Sequence, residues 1–329
     1  MSTVLISPRE VAGFAHRYDD VFAAAGIAVK YPPPGEANIL TPAELLDCLQ
    51  GVDAVVAGSE AYTPAVFAAC PRLKVVARVG VGYDAVDVPG ATAAGVAVCV
   101  APGTNHECVA EHAFALILSF TRLVVTRTNA IRAGGWPRHY SKPLRGQTLG
   151  LVGLGRIGKA VAERAVAFKM NVIAFDPVAP PLPGVTAVSL DELLRSSDFV
   201  SLHMPLTPAT RHTMTRERFA MMKPGAVLVN TSRGGLVDET ALVEALKSGH
   251  LGGALLDVLG QEPPPADHPL FAFENVLLTP HAAGVDVQSL GDMARSAAEA
   301  VASILGGGWP AEKVVNPEVK GEVGKEARR

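Results

Sequence analysis

A short apolar run, Leu149 to Val152, leads into Gly153-Leu154-Gly155-Arg156-Ile157-Gly158, and a helical pattern with apolar residues at Ile157, Val161, Ala165 and Phe168 follows. In a chain with 32 glycines such a fingerprint arises easily by chance, but between a strand and an amphipathic helix it has a physical reading. The first glycine permits a tight turn, the second lets the backbone approach a pyrophosphate, and the third lets helix pack on strand. A pyrophosphate then rests on the unpaired N–H groups where the helix starts, at Arg156 and Ile157. The next strand ends in Phe175-Asp176-Pro177, with Asp176 18 residues beyond Gly158. That is near the roughly 20-residue spacing of the acid that binds ribose hydroxyls. A carboxylate there repels a 2′-phosphate, so the expected cofactor is NAD rather than NADP.

A chain of 329 residues is longer than one core usually spans. Before the fingerprint, apolar runs at Val4–Ser7, Ile27–Tyr31, Ala54–Ala57, Lys74–Arg78 and Val96–Val100 alternate with helical patterns. Tyr18–Ala25 reads as a helix closed by Gly26, and Thr41-Pro42 and Thr63-Pro64 each open another with an N-cap and proline at N1. After it, strands are predicted at Thr148–Val152, Asn171–Phe175, Phe199–Leu202, Ala226–Asn230, Gly253–Asp257 and Val276–Leu278, with a last helix at Val287–Leu305. Alternation of this kind implies parallel strands joined by helical crossovers. The expected architecture is therefore α/β, with two open parallel-sheet domains. Glu107–Arg127 reads as one long apolar helix, buried by crossing between domains or by packing on another subunit. Arg132–Arg145 reads as an irregular connection and Glu318–Arg329 as a fraying end.

Composition narrows the partners. Hydrophobic residues make up 49% of the chain and charged ones 19%, and the net charge is -3. This fills a large interior and gives no basic surface for nucleic acid. Cys48, Cys70, Cys99 and Cys108 form no CxxC pair. Only Cys108 lies near histidines, His106 and His112, without a second thiol at metal-site spacing, so reduced thiols and no metal are expected. The N-terminus carries no basic region followed by a long apolar stretch, and Ala113–Val125 is too short to span a bilayer. The expectation is a cytoplasmic protein without membrane partners.

A hydride leaving C2 of a 2-hydroxy acid needs a base for the hydroxyl proton and a cation for the carboxylate and carbonyl. Histidine and arginine suit these tasks. Open α/β sheets put ligands at strand ends, where the second half offers Arg233 in Asn230-Thr231-Ser232-Arg233-Gly234-Gly235, Glu262 in Asp257-Val258-Leu259-Gly260-Gln261-Glu262-Pro263, and His281 in Thr279-Pro280-His281-Ala282. Each alone also reads as an ordinary turn or surface residue. In combination, these segments resemble the D-isomer-specific 2-hydroxyacid dehydrogenase family, which includes D-3-phosphoglycerate dehydrogenases and glyoxylate or hydroxypyruvate reductases. Arg78-Val79-Gly80-Val81-Gly82-Tyr83-Asp84, Val109-Ala110-Glu111-His112, His203-Met204-Pro205-Leu206-Thr207 and Met222-Lys223-Pro224-Gly225 match as well, so the resemblance covers about residues 1 to 315.

The resemblance implies Rossmann-like or flavodoxin-like domains with the active site in the cleft between them. Residues 1–100 plus 282–329 would form the substrate domain and 101–281 the NAD-binding domain. It implies His281 as acid/base, Glu262 as its carboxylate partner, and Arg233 on the substrate carboxylate and keto oxygen. Val81 and Gly82 would complete the carboxylate site through backbone N–H groups. Asp257 would contact the nicotinamide carboxamide, Pro205 and Thr210 would lie along adenine and pyrophosphate, and His203 and Thr231 would join the cofactor contacts. The Glu107–Arg127 region resembles the family's dimerisation segment. His112 is expected to pack or hydrogen-bond within that helix, and His16, His139, His212, His250 and His268 to be surface or turn residues.

The substrate stays open between 3-phosphoglycerate and a short unphosphorylated keto acid such as glyoxylate or hydroxypyruvate. Phosphoglycerate dehydrogenases tend to carry an arginine just after the third strand of the first domain, where this chain has Glu60. Arg78 compensates if it turns toward the cleft, and otherwise is a strand-end surface residue. Two alternatives share the scaffold: a non-enzymatic NAD-sensing corepressor, and a formate or phosphite dehydrogenase. Formate enzymes put glutamine where this chain has Glu262.

Overall fold

The computed structural model describes residues 1–35, 39–180 and 182–323. The chain divides into two compact units, Met1–Asn105 with Val285–Arg329, and His106–Gly284.

In the first unit, strands β1 (Thr3–Ile6), β2 (Ala28–Lys30), β3 (Ala54–Ala57), β4 (Val75–Arg78) and β5 (Ala97–Cys99) form a parallel sheet in the order β2-β1-β3-β4-β5. Both faces are covered, which explains why these strands are apolar at consecutive positions rather than alternately. Val4, Ile6, Val56 and Ala77 face helices α1 (Asp19–Ala24) and α11 (Val287–Leu305), whereas Leu5, Val55 and Val76 face α2 (Pro42–Leu49), α3 (Pro64–Ala69) and α4 (Val88–Ala93). Thr41 caps α2 in a full capping box with Glu44, an arrangement worth about 1 kcal/mol. Arg9–Arg17 forms 3-10 turns. Neither that segment nor α4 was expected from hydrophobic period, since both are short.

The second unit holds β6 (Thr148–Val152), β7 (Asn171–Phe175), β8 (Val185–Ala187), β9 (Phe199–Leu202), β10 (Val227–Asn230), β11 (Gly253–Leu256) and β12 (Val276–Leu278). They pair in parallel in the order β12-β11-β10-β9-β6-β7-β8. One face packs on α5 (His106–Thr121) and α7 (Arg156–Ala167), the other on α8 (Leu190–Ser196), α9 (Arg216–Met221) and α10 (Glu239–Lys247). The two sheets are the flavodoxin-like and Rossmann-like doubly wound orders, whose switch points fall between β1 and β3 and between β6 and β9. Strand β8 escapes the sequence pattern because Val-Thr-Ala is short and half-exposed.

The expected single helix over Glu107–Arg127 is two. Chain direction changes by 57° at Leu123, whose φ of 56° is left-handed, and α6 (Val124–Arg132) follows. No glycine or proline marks the break, and the apolar composition runs through it, which is why periodicity misses it. Helix α5 is buried within its own unit, against α7, β10 and β11. Ile117 is fully buried, a burial worth about 1.5–3 kcal/mol. Among the described residues no single helix is long and apolar enough to cross a membrane. Among the described residues, the four cysteines are buried and form no disulfide.

Candidate active site

The glycine loop joins β6 to α7. Gly153 has φ 101°, and a Cβ there would stand 2.6 Å from the His203 carbonyl oxygen. A Cβ on Gly158 would stand 2.3 Å from the Gly153 carbonyl oxygen. At Gly155, by contrast, an added Cβ would meet open space, and this N-cap residue leaves the first turn of α7, Arg156 and Ile157 included, without a side-chain cap. The loop is thus packed tightly from behind and open in front, with N–H groups available to an anion.

Asp176, at the end of β7, accepts from the Leu154 N–H at 2.7 Å and from the Val178 and Ala179 N–H groups at 2.8 Å. Partial burial pushes its pKa up, but these backbone donors and Lys159 outweigh that and hold it below the usual aspartate range. It keeps an acceptor position beyond the three used. A recess lined by Leu154, Ala174, Ala179, Leu182 and Val185 opens beside it, and β8, absent from the sequence expectations, supplies part of its wall.

The remaining expected cofactor contacts differ in kind. Thr231 is buried, and its hydroxyl has no hydrogen-bond partner among the described residues, as befits a group awaiting a ligand. The His203 ring turns inward onto Ser201 Oγ at 2.8 Å. Burial lowers its pKa to about 4, so it is neutral near pH 7. Thr210 uses its hydroxyl to close its own loop, donating to the Pro205 carbonyl at 2.7 Å, while Pro205 itself is exposed. The loop, the ionised Asp176, the recess and the orphaned Thr231 hydroxyl together fit NAD.

Loops after β10, β11 and β12 carry the candidate chemistry. Asn230 side-chain N–H donates to the Arg233 carbonyl at 2.9 Å, and Ser232 Oγ donates to the Leu202 carbonyl at 2.7 Å, which holds the loop of Arg233. A Cβ on Gly234 would stand 2.0 Å from the Leu259 carbonyl; only glycine lets these two loops meet. Glu262 Oε1 accepts from the Leu259 N–H at 2.9 Å, and Oε2 lies 2.6 Å from His281 Nδ1. Burial pushes the Glu262 pKa up, but the His281 hydrogen bond, the Leu259 N–H and the Arg233 charge outweigh it and leave it below the usual 4.5. A carboxylate only accepts, so Nδ1 carries the hydrogen and Nε2 is left for proton transfer. His281 has a left-handed φ of 54°.

Asp257 is 1% exposed. Its carboxylate accepts from Thr279 Oγ1 at 2.6 Å, from Ala282 N–H at 2.9 Å and from Ala283 N–H at 2.8 Å. His112, expected to bond within its own helix, instead reaches Thr279 Oγ1 at 2.9 Å. Sequence reasoning missed this pair, although the segments holding both residues stood out as motifs.

In the first unit, Arg78 is only 7% exposed, so the surface-residue reading fails. Its Nε donates to the Gly82 carbonyl at 3.0 Å and one terminal nitrogen points to the Ala57 carbonyl at 3.5 Å. It braces the turn that presents Val81 and Gly82. Glu60 is 2% exposed; Ser7 Oγ donates to its Oε2 at 3.0 Å, while Oε1 has no hydrogen-bond partner among the described residues.

Residues 114–283 match the family model described as D-isomer specific 2-hydroxyacid dehydrogenase, NAD binding domain. The chain is 42% identical over 262 residues to a glyoxylate reductase of Thermofilum pendens, covering 76% of this chain and 77% of that protein. It is 42% identical over 289 residues to a D-3-phosphoglycerate dehydrogenase of Mycobacterium leprae, covering 84% of this chain. That match spans only about half, 54%, of the longer protein. A crystal structure of a Thermus thermophilus protein superposes with a TM-score of 0.85 at 38% identity, covering 96% of this chain and 100% of that one.

Proposed function

The chain belongs to the D-isomer-specific 2-hydroxyacid dehydrogenase family and is an NAD-dependent enzyme; from that premise we propose that it interconverts a short, unphosphorylated 2-keto acid, of the glyoxylate or hydroxypyruvate type, with its D-2-hydroxy acid. The observation that carries the reaction is the 2.6 Å His281–Glu262 pair close enough to Arg233 for its charge to act on Glu262. NAD, when bound, supplies or accepts the hydride. In the reductive direction His281 Nε2 delivers a proton to the carbonyl oxygen. Glu262 holds Nδ1–H and favours the positive ring that proton donation requires. Arg233 pairs with the substrate carboxylate and polarises the carbonyl. The N–H groups of Val81 and Gly82, in the first unit, are proposed as carboxylate donors, as the family resemblance implies. Asp257 is assigned to the nicotinamide carboxamide, Thr231, Thr210, Pro205 and the glycine loop to the rest of the cofactor, and Asp176 to its ribose. Glu262 speaks against a formate-type enzyme, in which glutamine takes that place.

Glu60 carries the choice of substrate. It follows β3 at a sheet switch point, where open α/β sheets bind ligands. An acidic residue there, where phosphoglycerate dehydrogenases tend to carry an arginine, speaks for an unphosphorylated acid. Arg78 is engaged by backbone carbonyls. Loss of NADH absorbance with glyoxylate, hydroxypyruvate, pyruvate and 3-phosphohydroxypyruvate, with NADPH in parallel, tests this. We expect kcat/KM for hydroxypyruvate or glyoxylate to exceed that for the phosphorylated acid by about tenfold or more, the equivalent of about 1.4 kcal/mol. Preference for the phosphorylated acid overturns the substrate assignment, and preference for NADPH overturns the role of Asp176. NADH binding without turnover on any acid favours the NAD-sensing alternative.

A homodimer forms the second part of the proposal. Helix α6 buries none of its residues, and Val124, Val125, Ile131 and Trp136, the last 78% exposed, lie on or just after it. Such apolar exposure marks an interface. Light scattering should give twice the chain mass, and Ile131→Glu with Trp136→Glu should give a monomer; a monomeric unaltered protein rejects the assignment.

A further inference from the structure

We propose that His112 and Thr279 are positioning residues for His281, acting through Asp257. The inference rests on the acid/base reading of His281.

The donors in this chain order themselves. Asp257 as a carboxylate only accepts, so the 2.6 Å contact uses the single hydroxyl hydrogen of Thr279. Thr279 Oγ1 is then an acceptor toward His112 Nε2 at 2.9 Å, and His112 must carry its hydrogen on Nε2. The chain runs from His112 Nε2–H to Thr279 Oγ–H to Asp257 Oδ1, and joins positions 167 residues apart.

Asp257 is the hub of the turn that holds His281. The Thr279 hydroxyl and the N–H groups of Ala282 and Ala283 converge on its carboxylate, and the His281 N–H donates to its backbone carbonyl at 2.8 Å. Within that wrap His281 keeps a left-handed φ of 54°. For a non-glycine residue this conformation is strained and persists only where the surroundings over-determine it. His112 supplies a fixed post, because its helix α5 is packed on α7 and the sheet. Without the post the turn can relax, and His281 drifts from Glu262 while the cofactor loop, elsewhere in the unit, is untouched.

The test is kcat in five single variants, His281→Ala among them, and one double variant. Thr279→Val keeps the shape and removes the hydroxyl; His112→Leu removes the ring donor. Both should lower kcat by about 10- to 100-fold, the scale of a misplacement near 1 Å. Thr279→Ser, which restores the hydroxyl, and His112→Gln, whose Nε2 can donate from a similar reach, should each recover most of that loss. In Thr279→Val/His281→Ala the valine should cost nothing beyond His281→Ala, because positioning without the positioned group has no effect. Unchanged kcat in the Val and Leu variants overturns the proposal, as does failure of Ser and Gln to rescue. Additive losses in the double variant, with a large loss in His281→Ala alone, overturn the positioning role and leave the acid/base reading standing; unchanged turnover in His281→Ala overturns both.

Discussion

His281→Ala is expected to lower kcat by about 10²- to 10⁴-fold, the usual worth of a general acid–base catalyst, with little change in NADH affinity. Among the described residues, the His281 side chain hydrogen-bonds to Glu262 and stands nearly half-exposed at a strand end, so its removal leaves no core cavity. The fold should survive, and far-UV circular dichroism with thermal unfolding checks that. Glu262→Gln sharpens the assignment. The Glu262 pKa lies below 4.5; a carboxylate with a lowered folded pKa contributes its pairing above that range and loses it as pH falls through the folded value. Across neutral pH its charge therefore favours the protonated ring. Neutralising it should move the alkaline limb of the reductive pH–rate profile to lower pH. A profile that stays in place removes Glu262 from the pair.

Arg233→Ala should be nearly as damaging, in a different pattern. Loss of a charged group that binds both ground and transition states raises KM and lowers kcat together. Removing one electrostatic donor to a developing oxyanion costs about 10²- to 10³-fold in kcat. Arg233→Lys should recover only part of this, because an ammonium cannot match a carboxylate with the guanidinium's planar fork. Steady-state kinetics with saturating NADH separate the two parameters. A rise in KM with kcat unchanged would confine Arg233 to substrate binding and detach it from carbonyl polarisation. The same substitution relieves Glu262 of a nearby positive charge, so its pKa should rise and the acidic limb of the profile should move up slightly.

Much of the fold was legible because its signals are local. Thr148–Val152, Asn171–Phe175, Phe199–Leu202 and Val276–Leu278 are strands with the bounds expected from their apolar runs, and Val287–Leu305 is the helix expected from its period. Strand β8 and the 3-10 turns of Arg9–Arg17 were not legible, since a segment of three half-exposed residues or of short-range turns has too little period to register. The break at Leu123 was hidden for another reason: a left-handed backbone residue without glycine leaves no trace in composition.

At the candidate site the division is sharper. The types and spacing of Gly153, Gly155, Gly158 and Asp176 point to the proposed phosphate-cradling turn and ribose acid, because those tasks depend on backbone shape and on one charge a fixed distance along the chain. Arg233, Glu262 and His281 stood out as strand-end residues of suitable chemistry. Their meeting depends on the order β12-β11-β10-β9, which brings three loops together, and on Gly234 lying against Leu259. Tertiary structure alone decided that Arg78 is an internal brace, that the His203 ring is neutral and turned inward, that Glu60 is buried, and that His112 reaches Thr279. Burial and hydrogen bonds between residues far apart in sequence arise only once sheets stack their helices. Sequence determined which chemistry the chain carries and the local shapes that display it, while packing decided which of those groups face one another and in which protonation state.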